Sequence, residues 1–169
     1  MTHLPGMAAV ALILGAATSC GAARGIPDIE SAQFTEHDSC GNGFTVRDND
    51  GTMRLTVRAS TKAAKGSDPA VFDLEHDEWS GYVEVGTGLV VWPCHDIATD
   101  FDGEHVEDVW TVISGTIEVL DPIVASPDGG GSGPVRALLH TALVETSDGS
   151  TVSLHDIELL NPQWGFSGG

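Results

Sequence analysis

Strict alternation is the pattern that most restricts how this chain can fold. From Met53 to Arg58 the residues run Met-Arg-Leu-Thr-Val-Arg, apolar and polar in turn. Successive side chains of a β-strand point to opposite faces, so such a run makes a strand with one buried face and one wet face. Phe44-Thr-Val-Arg47 alternates in the same way, and Asp48-Asn-Asp-Gly51 lies between the two runs. Asp-Gly is a favoured dipeptide of tight hairpin turns. The pattern predicts a β-hairpin here, its arginines facing outward and its apolar side chains facing a core.

Further strand signals follow. Ala70–Leu74, Tyr82–Val85 and Leu89–Trp92 are short apolar or alternating runs, and Pro93 ends the third. Val109–Ser114 and Thr116–Leu120 read as two strands separated at Ser114-Gly115. Val135–Thr146 and Thr151–Leu160 flank the turn Ser147-Asp-Gly-Ser150. The loop 60–69 holds both lysines, Lys62 and Lys65, and 126–134 contains the glycine- and serine-rich run Gly129–Gly133. No long segment has the 3.6-residue period of an amphipathic helix. About eight or nine short strands separated by turn signals predict an all-β fold, a single antiparallel β-sandwich, immunoglobulin-like in outline. A closed barrel is the alternative.

The chain opens differently. Met7–Ala17 is an uncharged apolar run of 11 residues. A membrane-spanning helix needs roughly 20, whereas the apolar core of an export signal spans about 7–15. Small residues follow, and Ala17-Thr18-Ser19-Cys20 resembles the lipobox of bacterial lipoproteins. Ala17 stands where such signals usually carry Leu, and Met1–Gly6 contains no Lys or Arg. The resemblance covers the first 20 residues and implies lipidation of Cys20, which would become the new N-terminus. Two acyl chains give stable membrane anchoring where one is marginal. The competing interpretation is a buried apolar strand or helix of a cytosolic protein. On the lipoprotein reading, residues 1–19 are a signal peptide, 20–39 a flexible tether and 40–166 the folded domain. The place is the extracytoplasmic face of the cell membrane, with secretion as the alternative. The remainder is similar in composition to small secreted proteins of high-GC bacteria, with few lysines and abundant Ala, Gly, Asp and Val.

Charge narrows the partners. The 25 Asp and Glu outweigh the 7 Lys and Arg, giving a net charge of −18, and every charged side chain lies beyond Cys20. Such a surface repels phosphates, which excludes nucleic acid as a partner. Of three cysteines, lipidation accounts for Cys20 and leaves Cys40 and Cys94. Outside the cytosol such a pair is expected to be a disulfide. In the chain-entropy model it would stabilise the fold by about 4 kcal/mol. A free thiol or a metal site is the alternative. No Cys-x-x-Cys suggests redox chemistry.

Several clusters offer chemistry. Asp48-Asn-Asp-Gly51 and Asp100-Phe-Asp-Gly103 resemble part of a calcium loop. Setting each Gly at loop position 6 puts Val46 or Ala98 first and Val57 or Val109 twelfth, none of which has a side-chain oxygen. Ordinary turns are the simpler reading. His95, Asp96 and His105, within a loop that also carries Asp100, Asp102 and Glu104, could converge on zinc or copper. His76-Asp77-Glu78 is a looser candidate. A blue-copper site is excluded because the only Met after Cys20 is Met53, in a strand. No Gly-x-Ser-x-Gly element is present, and no acid pair is singled out for glycoside hydrolysis. Among the tryptophans, Trp79 sits in an acidic stretch and is the best placed to offer a flat ring to a sugar, while Trp110 reads as core. His140 and His155 read as ordinary strand histidines.

These readings converge on a lipid-anchored extracytoplasmic β-domain with a non-catalytic binding or structural role at the cell envelope. It would need no cofactor, and its partners would be the membrane, through its anchor, and an envelope glycan or protein. A zinc- or copper-binding lipoprotein and an envelope hydrolase are the alternatives.

Overall fold

The computed structural model describes residues 29, 32–37, 39–60, 68–76, 78–91, 103–124 and 133–165. Among them the chain is all-β, without a helix. Nine strands form: β1 (Phe34–His37), β2 (Cys40–Gly41), β3 (Gly43–Asp48), β4 (Met53–Ala59), β5 (Ala70–Asp73), β6 (Trp79–Thr87), β7 (His105–Val119), β8 (Gly133–Glu145) and β9 (Thr151–Trp164). All belong to one sheet in the order β1-β3-β4-β6-β7-β8-β9-β2, with β5 beside β7. Eight strands pair antiparallel, and β2 alone runs parallel to its neighbour β9. The two packed sheets of the expected sandwich do not appear among the described residues. A single sheet curls until its ends meet, close to the barrel alternative.

The hairpin forms as the alternation dictates. Phe44 faces Val57 and Val46 faces Leu55 across β3 and β4, and all four are buried. Asp48 organises the turn. Its carboxylate accepts hydrogen bonds from the Thr52 and Met53 amides at 2.8 and 3.0 Å and from the Thr52 hydroxyl at 2.6 Å. The Asp-rich turn that resembled a calcium loop thus spends this carboxylate on its own backbone.

Residues 105–119 make one strand where two were expected. Gly115 is a bend within the strand, at φ +148°, and a β-carbon there would lie 2.3 Å from the Thr141 carbonyl oxygen. Glycine thus lets β7 stay continuous while its partner changes from β6 to β5. The expected strand at 89–92 does not form over 89–91, the part the structure describes. The Leu89 carbonyl accepts from Arg47 Nη1 at 2.9 Å, and the Val90 carbonyl from Arg54 Nη1. Arginine side chains therefore satisfy groups that a neighbouring strand would have satisfied.

The sheet closes through a short seam. β2 offers only the pairs Cys40–Gln163 and Gly41–Trp164. Asn161, fully buried on β9, reinforces it. Its amide donates to the Gly41 and Gly43 carbonyls at 3.0 and 2.6 Å, and its oxygen accepts from the Gln163 amide at 2.8 Å. The Ser39 hydroxyl accepts from the Thr45 amide of β3 and lies 3.4 Å from the Leu160 carbonyl of β9. Inside the seam, Phe44 meets Trp164 at 5.2 Å between ring centroids, and Trp79 joins both.

The folded part begins before Cys40. β1 lies within the stretch expected as tether, and Ile29 is core. The signal segment, Cys20 and Cys94 lie outside the described residues, as does the side chain of Cys40.

Candidate functional site

Doubled leucines interrupt the alternation on two neighbouring strands. Leu138-Leu139 on β8 and Leu159-Leu160 on β9 are doubled leucines. In a strand, one of each pair must face out. Leu139 and Leu159 are buried in the core, which leaves Leu138 and Leu160 on the outer face. Register brings them together. Leu138 pairs with Glu158 and Arg136 with Leu160. On the other side Glu118 of β7 pairs with Leu138, and the Leu120 amide donates to the Arg136 carbonyl at 2.9 Å. Two rows thus cross the outer face: Glu118, Leu138, Glu158 and Leu120, Arg136, Leu160.

A cleft of about 400 Å³ lies here, lined by these leucines, Arg136, Glu158 and, from the end of β1, His37. Its polar groups differ in their freedom. Arg136 is held by Asp121 through Nε and Nη2, each at 2.9 Å, and its own amide also donates to Asp121. These bonds lower the Asp121 pKa and raise that of Arg136, to which the nearby Glu158 charge adds. Glu158 is exposed and forms no hydrogen bond or ion pair among the described residues. The buried Nδ1 of His37 has no partner there either. Burial pushes the His37 pKa down, and the Glu158 charge pulls it part of the way back. His37 is therefore a neutral imidazole near pH 7. Beside the cleft, His140 Nε2 lies 2.8 Å from Glu118.

A second charged cluster is sealed. Arg54 faces outward from β4, as its alternation requires, yet it is only 5% exposed. Its Nε donates to Glu84 at 2.7 Å and its Nη2 to Glu104 at 2.9 Å, under the segment 89–91. Burial works against the charge, but the two carboxylates more than offset it and raise the Arg54 pKa. The expectation of a wholly wet outer face fails at this residue because the chain after β6 folds back over it.

Other expected site residues are scattered. Trp79 is 5% exposed and stacks on Phe44, so the ring expected to meet a sugar is core. His105 is exposed at the start of β7, paired in register with Thr87. His95 and Asp96 lie outside the described residues. His76 groups with Asp73 and Glu75, their ligand atoms all within 4.8 Å of one another, and the Asp73–His76 contact is 3.3 Å. All three face solvent, where acidic groups often gather without an ion. Sequence reasoning missed the cleft itself, although the doubled leucines are its visible signal.

Compared with known proteins, the chain matches no family model, no curated protein and no solved structure. The functional reading rests on the chemistry of these side chains.

Proposed function

We propose that this chain is exported, anchored to the extracytoplasmic face of the membrane through Cys20, and serves there as a non-catalytic binding domain whose ligand occupies the cleft over β8 and β9. The observation that carries the reading is a mainly apolar cleft of about 400 Å³ on the outer face of the barrel. Small-molecule sites typically occupy roughly 300–1,000 Å³, with apolar walls and a few placed polar groups. Leu120, Leu138 and Leu160 supply the walls, and His37, Arg136 and Glu158 the polar groups. Leu138 and Leu160 are half-buried on the outer face and Leu120 is exposed, which favours a role in contact.

The anchor and the disulfide belong to the same proposal. Mass spectrometry of the mature N-terminus should find a diacylglyceryl group on Cys20, and an unmodified cysteine there would remove the anchor. Cys40 heads the two-residue strand β2, so a bond to Cys94 would fasten the weakest part of the seam. Non-reducing digestion should link the two peptides. The finer architecture is the curled sheet flattened into two facing layers, as in an immunoglobulin-like sandwich. An experimental structure with facing layers about 10 Å apart would bear that out.

Binding is tested by titrating the purified domain with an eight-carbon amphiphile followed by calorimetry. Saturable one-to-one binding that Leu138→Ser with Leu160→Ser abolishes is expected. Binding unchanged by that pair of substitutions would move the site elsewhere.

A further inference from the structure

The chemistry of the cleft selects among amphiphiles. We infer that its ligand is a cationic amphiphile, a primary or substituted ammonium carrying an alkyl chain. This deepens the binding reading above and rests on it.

Charge at the cleft is unequal. Glu158 lines it, and Glu118 and Asp121 pair with the lining residues Leu138 and Arg136, against the single guanidinium of Arg136. Arg136 is already engaged by Asp121 through two side-chain bonds, which offset its charge. Glu118 is engaged by His140. Of these three, Glu158 has no hydrogen bond or ion pair among the described residues, and it lies at the wall of the cleft. The protein's net charge of −18 adds a long-range field that attracts cations and repels anions.

His37 lines the same cleft as Glu158, and its buried Nδ1 has no partner among the described residues. A neutral imidazole can present a lone pair at that nitrogen, and a carboxylate only accepts. An ammonium, which only donates, complements the exposed Glu158 carboxylate. A carboxylate headgroup would meet Glu158 across an apolar wall, and like charges there cost affinity. The alkyl chain then lies along the half-buried Leu138 and Leu160 and the exposed Leu120.

The test compares octylammonium, octanol and octanoate, each kept below its micelle concentration, in calorimetric titrations of the full mature chain at pH 7.5. Octylammonium should bind saturably, about tenfold or more tighter than octanol, with octanoate weakest. Glu158→Gln should remove that advantage of octylammonium over octanol, and its melting temperature should match the parent's, since Glu158 is exposed. Octanoate binding as tightly as octylammonium would overturn the charge selection and leave the binding reading standing. Octylammonium affinity unaltered in Glu158→Gln would overturn it as well. Failure of all three probes to bind would bring down both.

Discussion

Two arginines on the outer face of one barrel have opposite fates. Arg54 and Arg136 both occupy outward positions of alternating strands, and both pair with carboxylates. Arg54 is roofed by residues 89–91 and bound to two glutamates, whereas the Arg136 side chain is 63% exposed and bound to one aspartate. The strand pattern is the same at both places. What differs is whether chain folds back over the face. A covered outer face becomes a second layer of structure, and an uncovered one with leucines becomes a surface able to bind.

The comparison breaks most visibly under truncation. Arg54→Ala strands Glu84 and Glu104 in partly buried positions and should cost about 3–5 kcal/mol, whereas Arg136→Ala should cost at most about 1 kcal/mol. Chemical denaturation measures both, and equal losses would erase the distinction between the two faces. The doubled leucines sharpen it next. Leu139→Ala opens a core cavity and should cost about 2–5 kcal/mol, while Leu138→Ala should cost under about 1 kcal/mol and weaken amphiphile binding. A third test lies at the seam. Asn161→Ala leaves the Gly41 and Gly43 carbonyls short of a donor and should cost about 2–3 kcal/mol. Its neighbour Leu160, on the opposite face, should be nearly silent in stability.

The smallest effect is that of acid. Asp148 accepts bonds from Thr146 and Ser150 in the β8–β9 turn, which lower its pKa to about 2. A depressed carboxylate contributes stability that is present above its ordinary value of 3.8 and is lost as pH falls towards 2. Asp108, lowered chiefly by its bonds from Ser147 and Trp110, acts in the same direction. His37 is also depressed, so protonating it opposes folding, and its contribution fades as pH falls below 6.5. Melting temperature should therefore fall in two steps on acidification, the first beginning below pH 6.5. His37→Gln should remove the first step only, and a first step that persists in that variant would assign it to another group.

Local patterns were legible and non-local ones were not. The β3–β4 hairpin could be read because alternation and an Asp-Gly turn lie within 16 residues, Gly43 to Arg58. Gly115 misled because a glycine that bends a strand looks, in sequence, like one that ends it. Leu89–Trp92 looked like a strand because an apolar run carries no record of what will bond its carbonyls, and here Arg47 and Arg54 do so from over 30 residues away. Arg54 itself looked wet because its roof comes from another part of the chain. The cleft needs register between β8 and β9 and a histidine from a stretch that reads as tether. Only Leu138 and Leu160, as breaks in period, announced it.

The most direct test of the account is a backbone and side-chain chemical-shift map of the labelled domain titrated with octylammonium. The account predicts saturable perturbations centred on His37, Leu138, Glu158 and Leu160, with Arg54, Glu84 and Glu104 unmoved. Perturbations centred on the Arg54 face, or spread evenly over the barrel without saturation, would contradict it.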